Sequence, residues 1–235
     1  IFNSPYHQQA FFDALPGFLK AFPDRRGLDN IDRLQAKSTV LPVGLNLQDL
    51  STASKELGTP RILWNHRWEY DKGPEEFFAA LIQLKTAGIE FELAVLGESY
   101  GRQPEVFIRA QERLSDRLVQ WGYAEDRTAY RKWLRWANVL PVTSRHDFFG
   151  VSVVEGVAAG AMPLLPRRLN YPHLVQGEAF FYQENGFAAA LRELLTDWPE
   201  RYAAASDQVM RFDWAVVAGK YDDWLFDRAR IESGE

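Results

Sequence analysis

The 235-residue sequence contains no cysteine, so it forms no disulfide and offers no thiolate to a metal. This absence is typical of proteins in a reducing compartment, and we expect a cytoplasmic location. No apolar run approaches the roughly 20 residues that a membrane-spanning helix needs. The sequence therefore predicts no disulfide-stabilised domain, no thiolate metal centre and no membrane span.

Several signatures of catalytic sites are missing as well. There is no P-loop and no early G-x-G-x-x-G. The four histidines lack metal-binding spacing and no tight carboxylate cluster occurs, so we predict no intrinsic metal site. Ser144 and Ser152 lack the strand-turn-helix context of a hydrolase nucleophile.

An excess of positive charge is absent too, because 32 Asp and Glu outnumber 27 Lys and Arg for a net charge of −5. The chain as a whole is therefore not an electrostatic nucleic-acid binder. Local basic groups remain, and they are interpreted either as a basic rim for a polyanionic acceptor or as a solvated surface. They are Arg127, Arg131, Lys132, Arg135, Arg167 and Arg168.

What is present is a hydrophobic share of 46%, enough for a large core, and an alternation of strands and helices from Pro60 onward. Strands that alternate with helices pair in parallel through right-handed crossovers, which predicts an α/β, Rossmann-like parallel sheet. We predict strands at 61–65, 91–96, 118–121, 139–143, 162–165 and 179–182, with helices at 75–87, 104–114, 126–136, 150–159 and 185–195. Outside this region we predict helices at 6–21, 29–37 and 213–231 and a strand at 39–43.

The long C-terminal helix carries an apolar stripe that must pack on something. Its members are Trp214, Val217, Tyr221, Trp224 and Leu225. At the other end, residues 1–4 read as the end of a strand. We therefore expect a chain that lacks an upstream domain, the alternative being that early residues are simply absent.

The most informative segment runs from His146 to Gly160, where a strand end turns into a helix of small residues. Asp147 lies before the helix and Glu155 lies within it. The helix N-terminus at 149–151 offers unpaired N–H groups and a positive dipole end to an anion. This pattern favours a phosphorylated ligand whose hydroxyls are held by carboxylates. The alternative is structural, with Asp147 close to a helix cap and Glu155 on a helix face.

A second loop suited to binding an anion follows the strand at 61–65. Its two cations, Arg67 and Lys72, can neutralise a diphosphate. The alternative is a solvated loop in which they pair with Glu69 or Asp71. Because ligands of open α/β sheets bind beyond the carboxyl ends of the strands, we expect this loop, the 97–98 and 122–123 turns and the 146–160 segment to converge on one edge.

These residues resemble a known family. The spacing from Asp147 to Glu155 resembles the Glu-x₇-Glu signature of retaining GT-B glycosyltransferases. More specifically, the sequence is similar to the tRNA-queuosine α-mannosyltransferase family over roughly residues 1–175. The resemblance is carried by 64–72 (WNHRWEYDK), 96–98 (LGE), 121–123 (WGY), 146–150 (HDFFG) and 166–172 (PRRLNYP).

The resemblance implies that the chain is the C-terminal half of a GT-B fold with a small remnant of the N-terminal domain. It implies an acceptor-domain remnant at 1–45, a linker at 46–59, a donor-binding domain at 60–210 and a C-terminal helix at 211–235 that packs back toward the N-terminal domain. It also implies a GDP-mannose donor and queuosine in a tRNA anticodon as acceptor. With most of the acceptor domain missing, we expect this chain alone to bind the donor rather than to transfer sugar.

Carried over by position, the resemblance implies a role for each site residue. Arg67 and Lys72 bind the diphosphate and stabilise it as it leaves, with retention of configuration. Backbone groups of 149–151 (Phe149, Gly150 and Val151) meet phosphate and hexose. Asp147 holds hexose hydroxyls, Glu155 the ribose, and Tyr123 lies near the base. The chain departs from the broader signature at Asp147, where other members have Glu.

Two further hypotheses stay open at this point. The change at Asp147 is compatible with a retaining glycosyltransferase that uses another nucleotide sugar and a lipid or glycan acceptor. The abrupt start is compatible with a non-enzymatic nucleotide-binding module. The sequence does not indicate an oligomeric state.

Overall fold

The computed structural model describes residues 1–24, 26–50, 55–98 and 103–233, with side chains as far as residue 227. The expected linker at 46–59 thus lies partly outside the described residues. Within them, six parallel strands form one sheet in the order β3-β2-β1-β4-β5-β6. The strands are β1 (Arg61–Asn65), β2 (Glu92–Leu96), β3 (Leu118–Gly122), β4 (Val139–Pro141), β5 (Met162–Pro166) and β6 (Phe181–Tyr182).

Helices connect these strands and cover the sheet. They are α1 (Pro5–Lys20), α2 (Ile31–Lys37), α3 (Pro74–Thr86), α4 (Glu105–Arg113), α5 (Arg127–Trp136), α6 (Val151–Ala158), α7 (Tyr171–Leu174), α8 (Phe187–Thr196), α9 (Ser206–Val209) and α10 (Trp214–Ser233). The strand order is that of a doubly wound sheet, so the predicted Rossmann-like fold is confirmed. No helix of the described ranges is both long and apolar enough to cross a bilayer.

The core is built on the central strands, whose near-continuous apolar runs are buried on both faces, as a parallel sheet covered by helices requires. Aromatic rings fill the space between the β1–β2 edge and helices α3 and α4. Trp68 and Phe107 stack at 4.4 Å, and Trp64 packs against Phe77 and Phe78. This packing fixes the strand ends that carry the candidate site.

Two predicted strands were wrong in extent. At 39–43 the backbone makes only an isolated bridge from Val40 to Phe2, because Pro42 has no N–H to extend a ladder. At 179–182 only Phe181 and Tyr182 form a strand, since the preceding residues close a 3₁₀ turn in which Phe180 N donates to the carbonyl of Gly177. The other predicted boundaries differ by one or two residues, and the first turn of the 29–37 helix is 3₁₀.

The C-terminal helix α10 packs partly on the segment before the linker. Trp214 N donates to the carbonyl of Leu45 at 2.8 Å, and the Tyr221 hydroxyl donates to the carbonyl of Pro42 at 3.2 Å. Val217 is fully buried, whereas Leu225 is 56% exposed. The predicted apolar stripe is therefore only partly covered.

Candidate functional site

A cavity of about 450 Å³ opens at the carboxyl ends of β1, β2 and β3, the edge at which sheets of this class bind ligands. Three residues to which the resemblance gives a role line it, namely Arg67, Tyr123 and Glu155, whereas Lys72 does not. Arg67 and Tyr123 come from the β1–α3 and β3–α5 connections and Glu155 from the second turn of α6, so the topology has brought the three together as expected. The remaining lining residues are Asn65, His66, Leu96, Gly97, Glu98, Ala124, Asp126, Arg127 and Tyr130.

The β1 and β2 ends approach each other closely at Gly97. Its φ is +149°, and a Cβ there would lie 2.2 Å from the carbonyl oxygen of His66. Only glycine permits this approach, which lets Trp68 N donate to the carbonyl of Glu98 at 3.1 Å. The floor of the cavity is thus fixed by backbone contacts.

The two cations of the β1–α3 loop occupy different environments. Arg67 is half exposed and pairs with Glu69 at 3.1 Å. Lys72 is buried, and its Nζ donates to the carbonyl of His146 at 2.7 Å and lies 3.1 Å from a carboxylate oxygen of Asp71. Both cations therefore pair with acidic neighbours, as the alternative reading of the sequence expected, but Lys72 is buried rather than solvated. Lys72 also connects this loop to the segment before α6.

Thr143, just after β4, anchors the same loop. Its hydroxyl lies 2.8 Å from the carbonyl of Lys72 and 3.0 Å from that of Gly73. Gly73 has a φ of +69°, and a Cβ there would lie 2.5 Å from the Thr143 carbonyl oxygen. The loop can close on β4 only because residue 73 is glycine.

The carboxylate of Asp147 braces its own turn. One oxygen accepts from the N–H of Phe149 at 3.2 Å, and the other accepts from the Tyr171 hydroxyl at 3.4 Å. This is the cap-like arrangement that the sequence left as an alternative. Asp147 does not line the cavity.

The N-terminus of α6 begins at Gly150, whose φ of +96° provides a left-handed cap. The side chain of Phe149 is buried against Phe212, and its carbonyl accepts from Asn170 Nδ2 at 2.9 Å. Val151 is 39% exposed. The first N–H groups of a helix have no intrahelical partner, so this cap presents donors for an anion.

A network that sequence reasoning missed holds Glu155. The Tyr130 hydroxyl donates to Glu155 Oε2 at 3.0 Å, and Asn65 Nδ2 donates to the Tyr130 oxygen at 3.4 Å. Burial raises the pKa of Glu155, against the opposing effect of the Tyr130 hydrogen bond and of Arg127 and Arg131. Asn65 lies at the end of a predicted strand, and that position could have indicated that it belongs to the site. Nothing in the sequence points to Tyr130.

His66, in the loop that the sequence assigned to this edge of the sheet, also lines the cavity. It is buried, and its Nδ1 lies 3.1 Å from the Ser152 hydroxyl in the first turn of α6. Burial, aided by the charge of Lys72 and opposed by that of Asp71, lowers its pKa to about 3. The ring is therefore neutral near pH 7.

The basic residues noted in the sequence make several different contacts. Arg131 pairs with Asp49 at 3.2 Å, Arg135 donates to the carbonyl of the same residue, and Arg167 pairs with Glu178 at 2.7 Å. Arg127 lines the cavity. In the part of the chain that the structure describes, no three His, Asp or Glu side chains are grouped to hold a metal ion.

The fold and the cavity define a Rossmann-like domain of the GT-B glycosyltransferase class. An Anabaena protein, HepE, solved in complex with UDP-glucose, superposes with a TM-score of 0.71 at 15% identity over 96% of this chain and 63% of its own. The sequence model of Glycosyl transferases group 1 matches residues 50–209, so the chain belongs to that family.

Within this family, the resemblance to the tRNA-queuosine α-mannosyltransferases is confirmed. Residues 1–45 match the model described as tRNA-queuosine alpha-mannosyltransferase N-terminal. The Drosophila melanogaster tRNA-queuosine alpha-mannosyltransferase is 30% identical over 81% of this chain and 53% of its own length.

A bacterial relative is named for a different acceptor. The Xanthomonas oryzae GDP-mannose:cellobiosyl-diphosphopolyprenol alpha-mannosyltransferase is 24% identical over 82% of this chain and 53% of its own length. The chain thus spans about half the length of these curated relatives.

Proposed function

We propose that this chain carries the donor site of a retaining hexosyltransferase that moves mannose from GDP-mannose to queuosine in a tRNA anticodon. The observation that carries the proposal is the convergence of Arg67, Tyr123 and Glu155 on one cavity, beside the α6 N-terminus. Cation, aromatic ring and carboxylate are the groups needed for diphosphate, base and ribose.

Each part of the donor has a proposed partner. Arg67 and Lys72 bind the diphosphate, and backbone groups of Phe149, Gly150 and Val151 meet phosphate and hexose. Glu155 accepts from the ribose hydroxyls, Asp147 from the hexose, and Tyr123, which is 68% exposed, stacks near the base. Arg67 is free to exchange Glu69 for phosphate, since a half-exposed ion pair contributes little stability.

The chemistry proposed for the site is charge stabilisation. As the bond from the anomeric carbon to the diphosphate breaks, negative charge grows on the leaving oxygen and an oxocarbenium-like sugar forms. Arg67 and Lys72 stabilise that oxygen, which accepts the proton of the incoming hydroxyl on the same face, so configuration is retained. No side-chain nucleophile and no intrinsic cofactor are needed.

The identity of the donor and of the acceptor rests on the relatives. Both curated relatives are named as α-mannosyltransferases, and one of them is named for GDP-mannose. The N-terminal match and the Drosophila relative favour tRNA-queuosine as the acceptor. A tRNA acceptor favours the cytoplasm as the location.

We propose that donor binding and acceptor recognition belong to different domains, with the acceptor recognised outside the sheet. We propose residues 1–45 as part of an acceptor domain, 46–59 as linker, 60–210 as the donor domain and 211–235 as a helix that packs back. The boundaries of the two family matches, 1–45 and 50–209, support this division. The contacts of α10 with Pro42 and Leu45 support its last part.

A lipid-linked acceptor is the second candidate, and a specific observation favours it. An apolar cavity of about 570 Å³ lies on α1, where Phe11 and Phe18 are exposed beside Phe148. Such a surface suits a polyprenyl chain, the acceptor class in the name of the Xanthomonas relative.

One labelling experiment distinguishes these candidates. A protein that carries this chain together with a complete acceptor domain is incubated with GDP-[¹⁴C]mannose and either queuosine-containing tRNA or a polyprenyl-diphosphate glycan. Label in tRNA supports the first proposal, and label in lipid the second. Label in neither, together with calorimetric binding of GDP, supports a nucleotide-binding module.

A further inference from the structure

We propose that Tyr130 is a positioning residue that fixes the Glu155 carboxylate for a pair of neighbouring ligand hydroxyls and so sets the preference for a ribonucleotide over its dideoxy analogue. The inference rests on the proposed function, because it requires that the cavity bind a nucleoside diphosphate. Tyr130 lies on α5 and Glu155 on α6, so the contact joins two helices that flank the cavity.

The hydroxyl of Tyr130 is held from both sides. It donates to Glu155 Oε2 at 3.0 Å and accepts from Asn65 Nδ2 at 3.4 Å. A tyrosine hydroxyl has a single proton, so the donation from Asn65 directs that proton toward the carboxylate. The orientation of the hydroxyl is thereby defined.

Asn65 completes the arrangement at the end of β1. Its Nδ2 carries two protons, and the second is donated to the carbonyl of Ser152 at 2.9 Å. Ser152 lies one turn before Glu155 on α6. The same amide therefore fixes the helix backbone and the tyrosine that contacts the carboxylate, and it is itself 8% exposed.

One carboxylate oxygen stays available to a ligand. Oε2 of Glu155 accepts from Tyr130, whereas Oε1 accepts no hydrogen bond from the described part of the chain. Glu155 also lines the cavity. A carboxylate can accept several hydrogen bonds, so Oε1 and the second lone pair of Oε2 can meet two adjacent hydroxyls. Without Tyr130 the side chain could rotate about its own torsions and lose this alignment.

The hydroxyl also favours the charged form of Glu155. Burial raises the pKa of this carboxyl, and the Tyr130 hydrogen bond is the first effect that opposes the rise. An ionised carboxylate is the stronger acceptor for ligand hydroxyls. Orientation and charge are therefore supported by the same contact.

The test compares nucleotide binding by the 235-residue chain and a Tyr130→Phe variant, which keeps the ring but removes the hydroxyl. Calorimetry with GDP and 2′,3′-dideoxy-GDP gives the ratio of the two affinities. We expect a ratio of about tenfold or more in the wild type, falling to about threefold or less in the variant. The low-pH limit of GDP binding should also move upward, since the pKa of Glu155 rises further without the hydroxyl.

Two further variants make the result specific. Tyr202→Phe removes a hydroxyl that donates to the Gly160 carbonyl at 2.8 Å, beyond the far end of α6, and should leave the ratio unchanged. Glu155→Gln should bind GDP and 2′,3′-dideoxy-GDP with similar affinity, and its GDP binding should no longer show the low-pH limit. If Tyr130→Phe does not fold, Asn65→Ala, which removes the donor behind Tyr130, should narrow the same ratio.

Each outcome has a defined meaning. A narrowed ratio with an upward pH shift in Tyr130→Phe, but not in Tyr202→Phe, supports the inference. A wild-type ratio in Tyr130→Phe together with loss in Glu155→Gln overturns it while leaving the proposed function intact. Absence of GDP binding by the wild type contradicts the proposed function itself, and this inference with it.

Discussion

At the scale of single residues, the two cations of the β1–α3 loop differ in what they can do. Arg67 is exposed and loosely paired, so it can follow a ligand. Lys72 is buried between the carbonyl of His146 and the carboxylate of Asp71, so its position is fixed before a ligand arrives. Preorganised charge of this kind is what stabilises a leaving diphosphate without reorganisation.

Replacing Lys72 by Met should therefore weaken GDP binding by about 1.5–3 kcal/mol, or about 10- to 150-fold, because one charge-assisted contact is lost. Calorimetry measures the effect. The matched control is Lys85→Met. Lys85 lies in the last turn of α3, away from the cavity, and its Nζ donates to the carbonyl of Arg113 at the end of α4. Equal affinity of Lys72→Met and wild type would refute the assignment of Lys72 to the diphosphate.

His66 should make the fold sensitive to acid. Its folded pKa is about 3 and its ordinary value 6.5, so below pH 6.5 the unfolded chain gains a proton that the folded chain does not. The stability it contributes is full above pH 6.5 and decreases as the pH falls, by about 2 kcal/mol from pH 7.5 to pH 5. Urea unfolding at both pH values measures this. In His66→Asn the loss should be smaller by that amount, and an unchanged loss would contradict the account.

At the scale of elements, the sequence predicts the sheet well because each strand is a short apolar run followed by a helical pattern. The convergence of the strand-end residues Arg67 and Tyr123 on one cavity follows from parallel topology alone. Glu155 reaches the same cavity from α6, whereas Lys72 and Asp147 do not line it. The contact of Tyr130 with Glu155 was not predictable, since it depends on how α5 packs against α6. The same holds for the pairing of Lys72 with the carbonyl of His146, which is 74 residues away.

Replacing two glycines by alanine should change the stability of the protein in opposite directions, because their backbone conformations and surroundings differ. Gly73→Ala forces a side chain into a left-handed backbone and against the Thr143 carbonyl, so it should destabilise the protein by about 1–3 kcal/mol. Gly17 lies inside α1, where an added methyl group would meet no atom within 4 Å, so Gly17→Ala should stabilise by about 0.5–1 kcal/mol. Urea denaturation checks both, and a tolerated Gly73→Ala would contradict the described loop.

At the scale of the whole molecule, Asp213 joins parts of the chain that are far apart in sequence. Its carboxylate accepts from the N–H groups of Leu47 and Ala215 at 2.9 Å and of Gln48 at 3.2 Å. These contacts connect the start of α10 to the segment that enters the linker. Long-range hydrogen bonds of this kind leave no local signal in the sequence.

Asp213→Ala should lower the free energy of unfolding by about 1–3 kcal/mol, because it removes a helix cap and leaves the buried N–H of Leu47 unpaired. Chemical denaturation measures the change. Asp223→Ala, at an exposed position of the same helix, is the matched control and should be nearly neutral. Similar losses in both variants would argue against a specific role for Asp213.

The central claim is that the cavity at the β1–β3 edge holds the diphosphate and base of GDP-mannose. Calorimetric titration of the chain with GDP-mannose and with UDP-glucose under identical conditions tests it most directly. The account predicts that GDP-mannose binds at least about tenfold more tightly, a difference of about 1.4 kcal/mol, and that Lys72→Met weakens its binding. Equal or stronger binding of UDP-glucose, or an affinity for GDP-mannose that Lys72→Met leaves unchanged, would contradict it.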